Sequence, residues 1–503
     1  MNKILIGFLL TLPGILLIVI AVSFGWFLFP LIIHDKIVEN VRLIAGSETW
    51  GKWKEAPIPI YLNFYIHHVT NPDEVEHGLK PKFLEKGPYA YRQKRVKVDI
   101  KQEDGLNTVK YREVKTYFFD KKISGNNSED DLVNVPNIPF VGVVHAVQKM
   151  LPIDFVVGLV GNVVLQHETL MRRNVSVGEL LFTGFDVTKY TRSLLARRLP
   201  KEFKGGRFGL YKGKNGTESP EWEVYTGYDS SEKFGRVKTW DSKSDLLFWR
   251  RFSECDKIKG TDGSVFQPFL TKQSQIEAFS PDVCRSITLI FENETEYKGV
   301  PGYRFTTPAW VFADPRNRPE NQCFCLEDDI EKCPYAGVLP LESCMNAPVY
   351  SSSPYFLGAD VRYLVESGLD SPNREKHRTF IDIEPTTGLI LRAHKRLQIS
   401  LEVKQHRKVK AFQNMQSDRM LFPLIWADEN AALDDALVED LKGKLLTPLQ
   451  IVGIAKWALL ILGIILFLVG LCVFAVKYIL ATDLSGISEK LKDMRASSIT
   501  SLK

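Results

Sequence analysis

The chain has 503 residues, 45% hydrophobic and 25% charged, with a formal net charge of +5. That balance is too mild for a nucleic-acid surface, and no zinc-finger, RNA-binding or long basic-arm pattern is present. Between two apolar ends lie roughly 420 residues, enough for one large core or several smaller ones.

Ile4 to Ile33 carries no charge and is flanked by Lys3 and by His34-Asp35-Lys36. Ala21-Val-Ser23 resembles a small-residue cleavage site, so a removed signal peptide is the rival reading. The apolar run continues through Phe24, Trp26, Phe27, Leu28 and Phe29, making it about twice as long as a signal core. An uncleaved membrane helix over 4–33 is therefore expected, with Pro13 tolerated where neighbouring groups satisfy the freed carbonyl.

Strands follow. Tyr61 to Thr70 has strand composition and ends at an Asn71-Pro72 turn. After Gly87-Pro88, Val96, Val98 and Ile100 alternate with Lys97, Asp99 and Lys101, which predicts an apolar face on a core and a wet face outside. Asp104-Gly105 turns the chain into a second strand through Tyr111, Val114 and Phe118, completing a hairpin. His67-His68 and His77 are close in sequence, but adjacent strand residues point to opposite faces and make a poor metal grip.

Val141 to Leu165 is apolar without alternation, interrupted by Lys149 and Asp154. Phe155 to Leu165 is too short to span a bilayer. The stretch predicts a pair of helices partly buried in the domain, with an apolar surface for a hydrophobic ligand as the alternative. Arg192 to Lys214 carries eight Lys or Arg against Glu202 alone. Such a run is ordinarily a solvated face, yet it draws anionic ligands until salt screens it. From Gly206 onward short strands and Gly/Asn/Asp turns dominate, and Leu397, Ile399, Leu401 and Val403 alternate after a Pro385-Thr-Thr-Gly388 turn. An α+β fold is expected: one large, mostly antiparallel β domain with a helical insertion in its first half.

Six of the seven cysteines fall between Cys255 and Cys344. An even cluster points to disulfides and an oxidising compartment, although spacing does not choose the pairing, and Cys323-x-Cys325-x7-Cys333 also has a metal-site reading. Acceptor sequons at Asn126, Asn174, Asn215 and Asn293 place the same middle segment outside the cytosol.

Trp457 to Val476 is a second charge-free run, twenty residues closed by Lys477. As a helix it rises about 30 Å, the thickness of bilayer hydrocarbon. The expected order is a cytoplasmic tail (1–3), a span (4–33), an extracellular or lumenal domain (34–456), a span (457–476) and a cytoplasmic tail (477–503). In that last tail Ile487, Leu491 and Met494 share one face suited to the inner leaflet. Cys472 is either a buried helix cysteine or an acylation site.

Several long segments have a family character. GPYAYR (Gly87–Arg92), GTDGSVFQPF (Gly260–Phe269), SPDVCRSITLIFE (Ser280–Glu292), GVPGYRF (Gly299–Phe305), NQCFC (Asn321–Cys325) and EKHRTFIDIEPTTGLILRAHKRLQISL (Glu375–Leu401) resemble the class B scavenger receptors. That family includes fatty-acid translocase, the high-density-lipoprotein receptor, a lysosomal integral membrane protein and insect sensory-neuron membrane proteins. The resemblance covers nearly the whole chain, and the sequence looks more like an invertebrate member than a mammalian one. It implies a large antiparallel β-barrel ectodomain with a helical bundle at the tip, anchored by two transmembrane helices, with an internal lipid tunnel. It also implies the pairs Cys255–Cys323, Cys284–Cys344 and Cys325–Cys333. Fatty-acid translocase carries two lysines at its tip where this chain reads Gln166-His167-Glu168. Arg172 and Arg173, or Arg192, Arg197 and Arg198 in the basic run, are the candidate replacements for gripping an anionic head.

No HExxH, GxSxG, Walker A or GxGxxG pattern occurs, and neither an enzyme nor a cofactor is expected. The function implied is a plasma-membrane receptor for lipids, lipoproteins or anionic ligands that passes fatty acids, sterols or carotenoids through its tunnel. The alternative is a receptor for proteins, debris or pathogens, or a lysosomal sorting receptor. Homo-oligomerisation is left open.

Overall fold

The computed structural model describes residues 3–191, 205–249, 253–415 and 417–500, in two units: Met1–Glu39 with Asp435–Lys503, and Asn40–Asp434. In the first unit Lys3–Val22 continues through a π-helical Ser23–Leu28 into Phe29–Asn40, while Thr447–Thr500 is one helix of 54 residues. Both helices are long and apolar enough to cross a membrane. The second extends past the expected 457–476 at both ends, and Ile487, Leu491 and Met494 on it are exposed. The two pack where side chains are small. A Cβ on Gly14 would lie 2.6 Å from the Phe467 nitrogen, and one on Gly463 would lie 2.9 Å from the Gly14 carbonyl oxygen. Phe8 meets Phe474 edge-on at 5.2 Å and Trp26 meets Trp457 at 5.1 Å. In lipid, helices associate through such close contact because burying apolar surface there gives no drive.

In the second unit an antiparallel sheet has a main path of strands β1 (Ile60–Val69), β2 (Phe83–Glu103), β3 (Thr108–Phe119), β4 (Trp222–Tyr225), β5 (Val237–Trp240) and β6 (Gln275–Ser280). It continues with β7 (Arg285–Tyr297), β8 (Val300–Thr306), β9 (Phe380–Glu384), β10 (Leu389–Lys404) and β11 (Arg419–Ala432). The spatial order is β5-β4-β3-β2-β1-β11-β10-β9-β8-β7-β6. The two end strands meet through a short linker. Val237 of β5 donates its N–H to Gly260 O at 2.7 Å, Thr261 donates to Glu277 O at 2.9 Å, and Phe279 of β6 donates to Thr261 O at 2.8 Å. Gly260-Thr261 thus joins one sheet edge to the other and leaves a nearly closed barrel, the arrangement that removes unpaired edges. Only glycine fits at 260, where φ is +80° and a Cβ would sit 2.0 Å from Glu277 O.

The β2–β3 hairpin pairs Val96 with Val114 and Arg92 with Phe118 across an Asp104–Leu106 turn. Its faces are the reverse of the expected ones. Lys97 is buried, whereas Val96, Val98 and Ile100 are only half-buried. Lys97 Nζ donates to Trp53 O at 3.2 Å and stands over the rings of Trp53 and Tyr111. The inward face of this hairpin is polar, so alternation pointed the wrong face inward. On β10 both faces are buried: Leu401 and Val403 on one, Gln398 and Ser400 on the other.

The helical insertion divides in two. Ile138–Met150, capped by Asn137, buries Phe140, Val141, Val143, Val144 and Val147. Asp154–Leu159 continues into Val160–Val164 and leaves Phe155, Leu159, Val163 and Val164 exposed. Buried helix and exposed apolar surface are therefore both present. The disulfides are Cys255–Cys323, Cys284–Cys344 and Cys325–Cys333, and Cys472 is free.

Candidate functional site

Side chains two apart on a strand share a face. On β2 and β3 one such set is Gln93, Arg95 and Lys97 opposite Tyr117, Lys115 and Glu113. On β10 and β11 Lys395 stands opposite Glu429. Arg95 pairs with Glu429 across β1, and Lys395 meets Glu429 at 3.5 Å. Lys395 also pairs with Asp282, which lies in the turn joining β6 to β7, with β9 and β8 between them in the sheet. Contacts between such separated parts of the wall run through the barrel interior.

Arg95 keeps 23%, Lys395 34% and Asp282 50% of its side-chain surface open. Three cations (Arg95, Lys115, Lys395) and three carboxylates (Glu113, Asp282, Glu429) form a charged belt on this face of the wall. Lys395, with Lys115 and Lys214 further off, holds the Asp282 carboxyl far below the usual range against burial. Burial pushes Glu429 up, but Arg95, Lys395 and Lys115 outweigh it and hold that carboxyl at about 2. Burial likewise pulls Lys395 down and its two carboxylates more than restore it. The belt stays charged at every physiological pH.

Apolar walls flank the belt. Phe64 stands 4.9 Å from Tyr211, Tyr91 4.7 Å from Phe182, and Phe182 5.5 Å from Tyr117. Ala393, on the Lys395 face of β10, joins a cluster of Phe266, Ile276, Phe305, Ile381 and Ile383. Apolar walls with a few converging charges suit a molecule that has an apolar body and one polar group.

The residues singled out for an anionic head do not assemble. Arg173 is committed to Asp73 at 2.8 Å and Glu76 at 3.0 Å. Arg172 stacks on Phe185 at 4.0 Å, and burial lowers its pKa. Gln166 and His167 are exposed, while Glu168 pairs with Lys189. Arg192, Arg197 and Arg198 lie outside the described residues. Asn126, Asn174, Asn215 and Asn293 are all exposed, and the Asn215 amide exchanges hydrogen bonds with the Tyr117 backbone at 2.9 and 3.4 Å. His67 and His68 face opposite ways: His67 is buried against Gln398 at 3.2 Å, and His68 accepts from the Asn134 N–H. Among the described residues no three His, Cys, Asp or Glu converge on a metal position. The belt itself was hidden by strand patterns that read as solvent faces; charges alternating on both strands of one hairpin were the available signal.

A profile of the CD36 family matches residues 12–474. Scavenger receptor class B member 1 of Rattus norvegicus is 33% identical over 444 residues, covering 88% of this chain and 84% of that protein. The Bos taurus protein of the same name is 31% identical over 468 residues, covering 92% and 87%. Sensory neuron membrane protein 1 of Mamestra brassicae is 29% identical over 461 residues, covering 88% and 86%.

Proposed function

The chain belongs to the CD36 family, and we propose that this scavenger receptor captures hydrophobic or lipoprotein-borne ligands and passes their lipid through the barrel chamber to the membrane. The observation that supports the proposal is the charged belt on the inward face of a nearly closed wall, its side chains partly open and apolar clusters on either side of it. Moving a sixteen-carbon chain through water costs on the order of 10 kcal/mol at about 0.8 kcal/mol per methylene. A sheltered passage removes most of that barrier without chemical energy, so transfer runs downhill between donor and membrane. Fatty acids, sterols and carotenoids are the candidate cargo. The exposed apolar segment at Phe155, Leu159, Val163 and Val164 supports a role in first capture.

The topology proposed with this function has the residues between the spans outside the cell, glycosylated at Asn126, Asn174, Asn215 and Asn293, with both tails in the cytoplasm of a plasma-membrane receptor. The chemistry is binding and transfer, with no catalytic group assigned. The test is uptake of a fluorescent lipid by cells expressing the chain, with Ala427→Trp filling the chamber beside Glu429. Uptake is expected to collapse while surface expression and lipoprotein capture persist. Normal uptake in that variant would favour a receptor that binds at its surface without lipid transfer.

A further inference from the structure

Arg285 opens β7 directly after Cys284 and is only 7% exposed. The other arginines buried this deeply among the described residues each face a carboxylate: Arg304 meets Asp382 at 2.7 Å and Arg396 meets Asp428 at 3.3 Å. Arg285 does not. Its Nη1 donates to Val311 O at 3.2 Å and its Nε makes a long contact of 3.4 Å to Ser286 O. Phe324 lies flat against the guanidinium, 3.6 Å from Cζ, and Phe312 lies 5.2 Å away. Among the described residues no carboxylate pairs with it and Nη2 has no acceptor. Burial, with no opposing charge, pulls its pKa down to about 9.

A buried charge without a counter-charge is costly, and structures compensate it. Arg285 lines a small cleft of about 20 Å³ with Phe312, Asn321, Phe324 and Tyr335 among its walls. We infer that this cleft binds one small monovalent inorganic anion, of the size of a halide, against the Arg285 guanidinium. Charge matching sets the class. A single guanidinium neutralises one negative charge, so sulfate or phosphate would leave a buried excess. The neighbouring cations are already neutralised: Arg316 pairs with Asp314 at 2.8 Å and Arg362 with Asp360 at 2.9 Å. Asn321 Nδ2 donates to Trp310 O and Ala313 O, which leaves the guanidinium as the chief donor. Bound there, the ion ties the start of β7 to the Cys325 segment, which also lines the cleft. The inference is independent of lipid transfer.

The test uses the full-length protein in detergent. Its Tm is compared in chloride and in gluconate, an anion too bulky for the cleft, at equal ionic strength. Binding to the folded state alone is expected to raise Tm saturably by about 2 °C in chloride, and Arg285→Met is expected to abolish the difference. Equal Tm values in the two salts, or a chloride response that survives in Arg285→Met, would overturn the inference. If that variant does not fold, bromide-soaked crystals of the unaltered protein decide. An anomalous peak beside Arg285 Nη2 supports the site, and its absence refutes it.

Discussion

Tyr111, on the inner face of β3, donates its hydroxyl to Asp262 Oδ2 at 2.6 Å. Asp262 follows Gly260-Thr261, the residues that join the two sheet edges, so this bond ties the seam to β3, two strands in from the β5 edge. Lys97 stands 3.7 Å from the same carboxylate. Burial first, then the Asp262 charge, raises the Tyr111 pKa well above the phenol range, so the hydroxyl remains a donor.

Gly260→Ala tests the seam. Its φ of +80° and the 2.0 Å approach of a Cβ to Glu277 O leave no room for a side chain. A loss on the order of 2 kcal/mol is expected, read as a lowered Tm and reduced surface expression. Gly213→Ala, with φ +77° and nothing near its Cβ, separates the two contributions. It is expected to cost about 1 kcal/mol from backbone strain alone.

The belt gives a second contrast. Glu429→Gln strips the carboxylate shared by Arg95 and Lys395 inside the wall, and about 3 kcal/mol is expected to be lost. Glu48→Gln, whose pair with Lys52 is solvent-exposed at 2.7 Å, is expected to cost less than about 0.5 kcal/mol. Thermal denaturation of the two variants side by side checks the difference.

Much of this was legible beforehand. The two charge-free runs, the Asp104-Gly105 hairpin, the Pro385–Gly388 turn and the Leu397–Val403 strand each rest on local periodicity or turn chemistry, and each is present. What periodicity does not carry is which face of a strand looks inward. Val96 and Val98 alternate with Lys97 as cleanly as any amphipathic strand, yet Lys97 is the buried member because Trp53, Tyr111 and Asp262 arrive from elsewhere in the chain. The belt escaped for the same reason. Arg95, Lys395 and Asp282 are ordinary surface residues until closure at Gly260 turns their face inward.

Stability should depend on pH through two histidines. Burial pulls His67 down to about 4, and burial together with Lys376 does the same for His377, which stacks on Tyr355 at 4.4 Å. Unfolded imidazoles titrate near 6.5, so between about pH 6.5 and 4 the unfolded chain binds protons that the folded chain refuses. Stability is full above that window and falls through it as pH drops, by on the order of 2 kcal/mol from His67 alone at about pH 4.5. Asp282 and Glu429 are depressed carboxylates whose contribution is lost only at lower pH. Tm measured against pH is expected to fall through the histidine window, and His67→Gln to flatten the slope.

The disulfides should differ in weight. Cys284–Cys344 spans 60 residues and Cys325–Cys333 spans 8. Loop entropy makes the longer link worth about 2 kcal/mol more. Replacing both members of each pair with serine and comparing Tm is expected to show the larger loss for Cys284 and Cys344.

The most direct measurement is photocrosslinking of a diazirine-bearing fatty acid to the full-length receptor, with the labelled peptides mapped by mass spectrometry. Label is expected on inward residues of β10 and β11, around Lys395, Leu397 and Ala427, as well as at Phe155–Val164. Label confined to Phe155–Val164, with the β10 and β11 peptides clean, would contradict passage of lipid through the chamber.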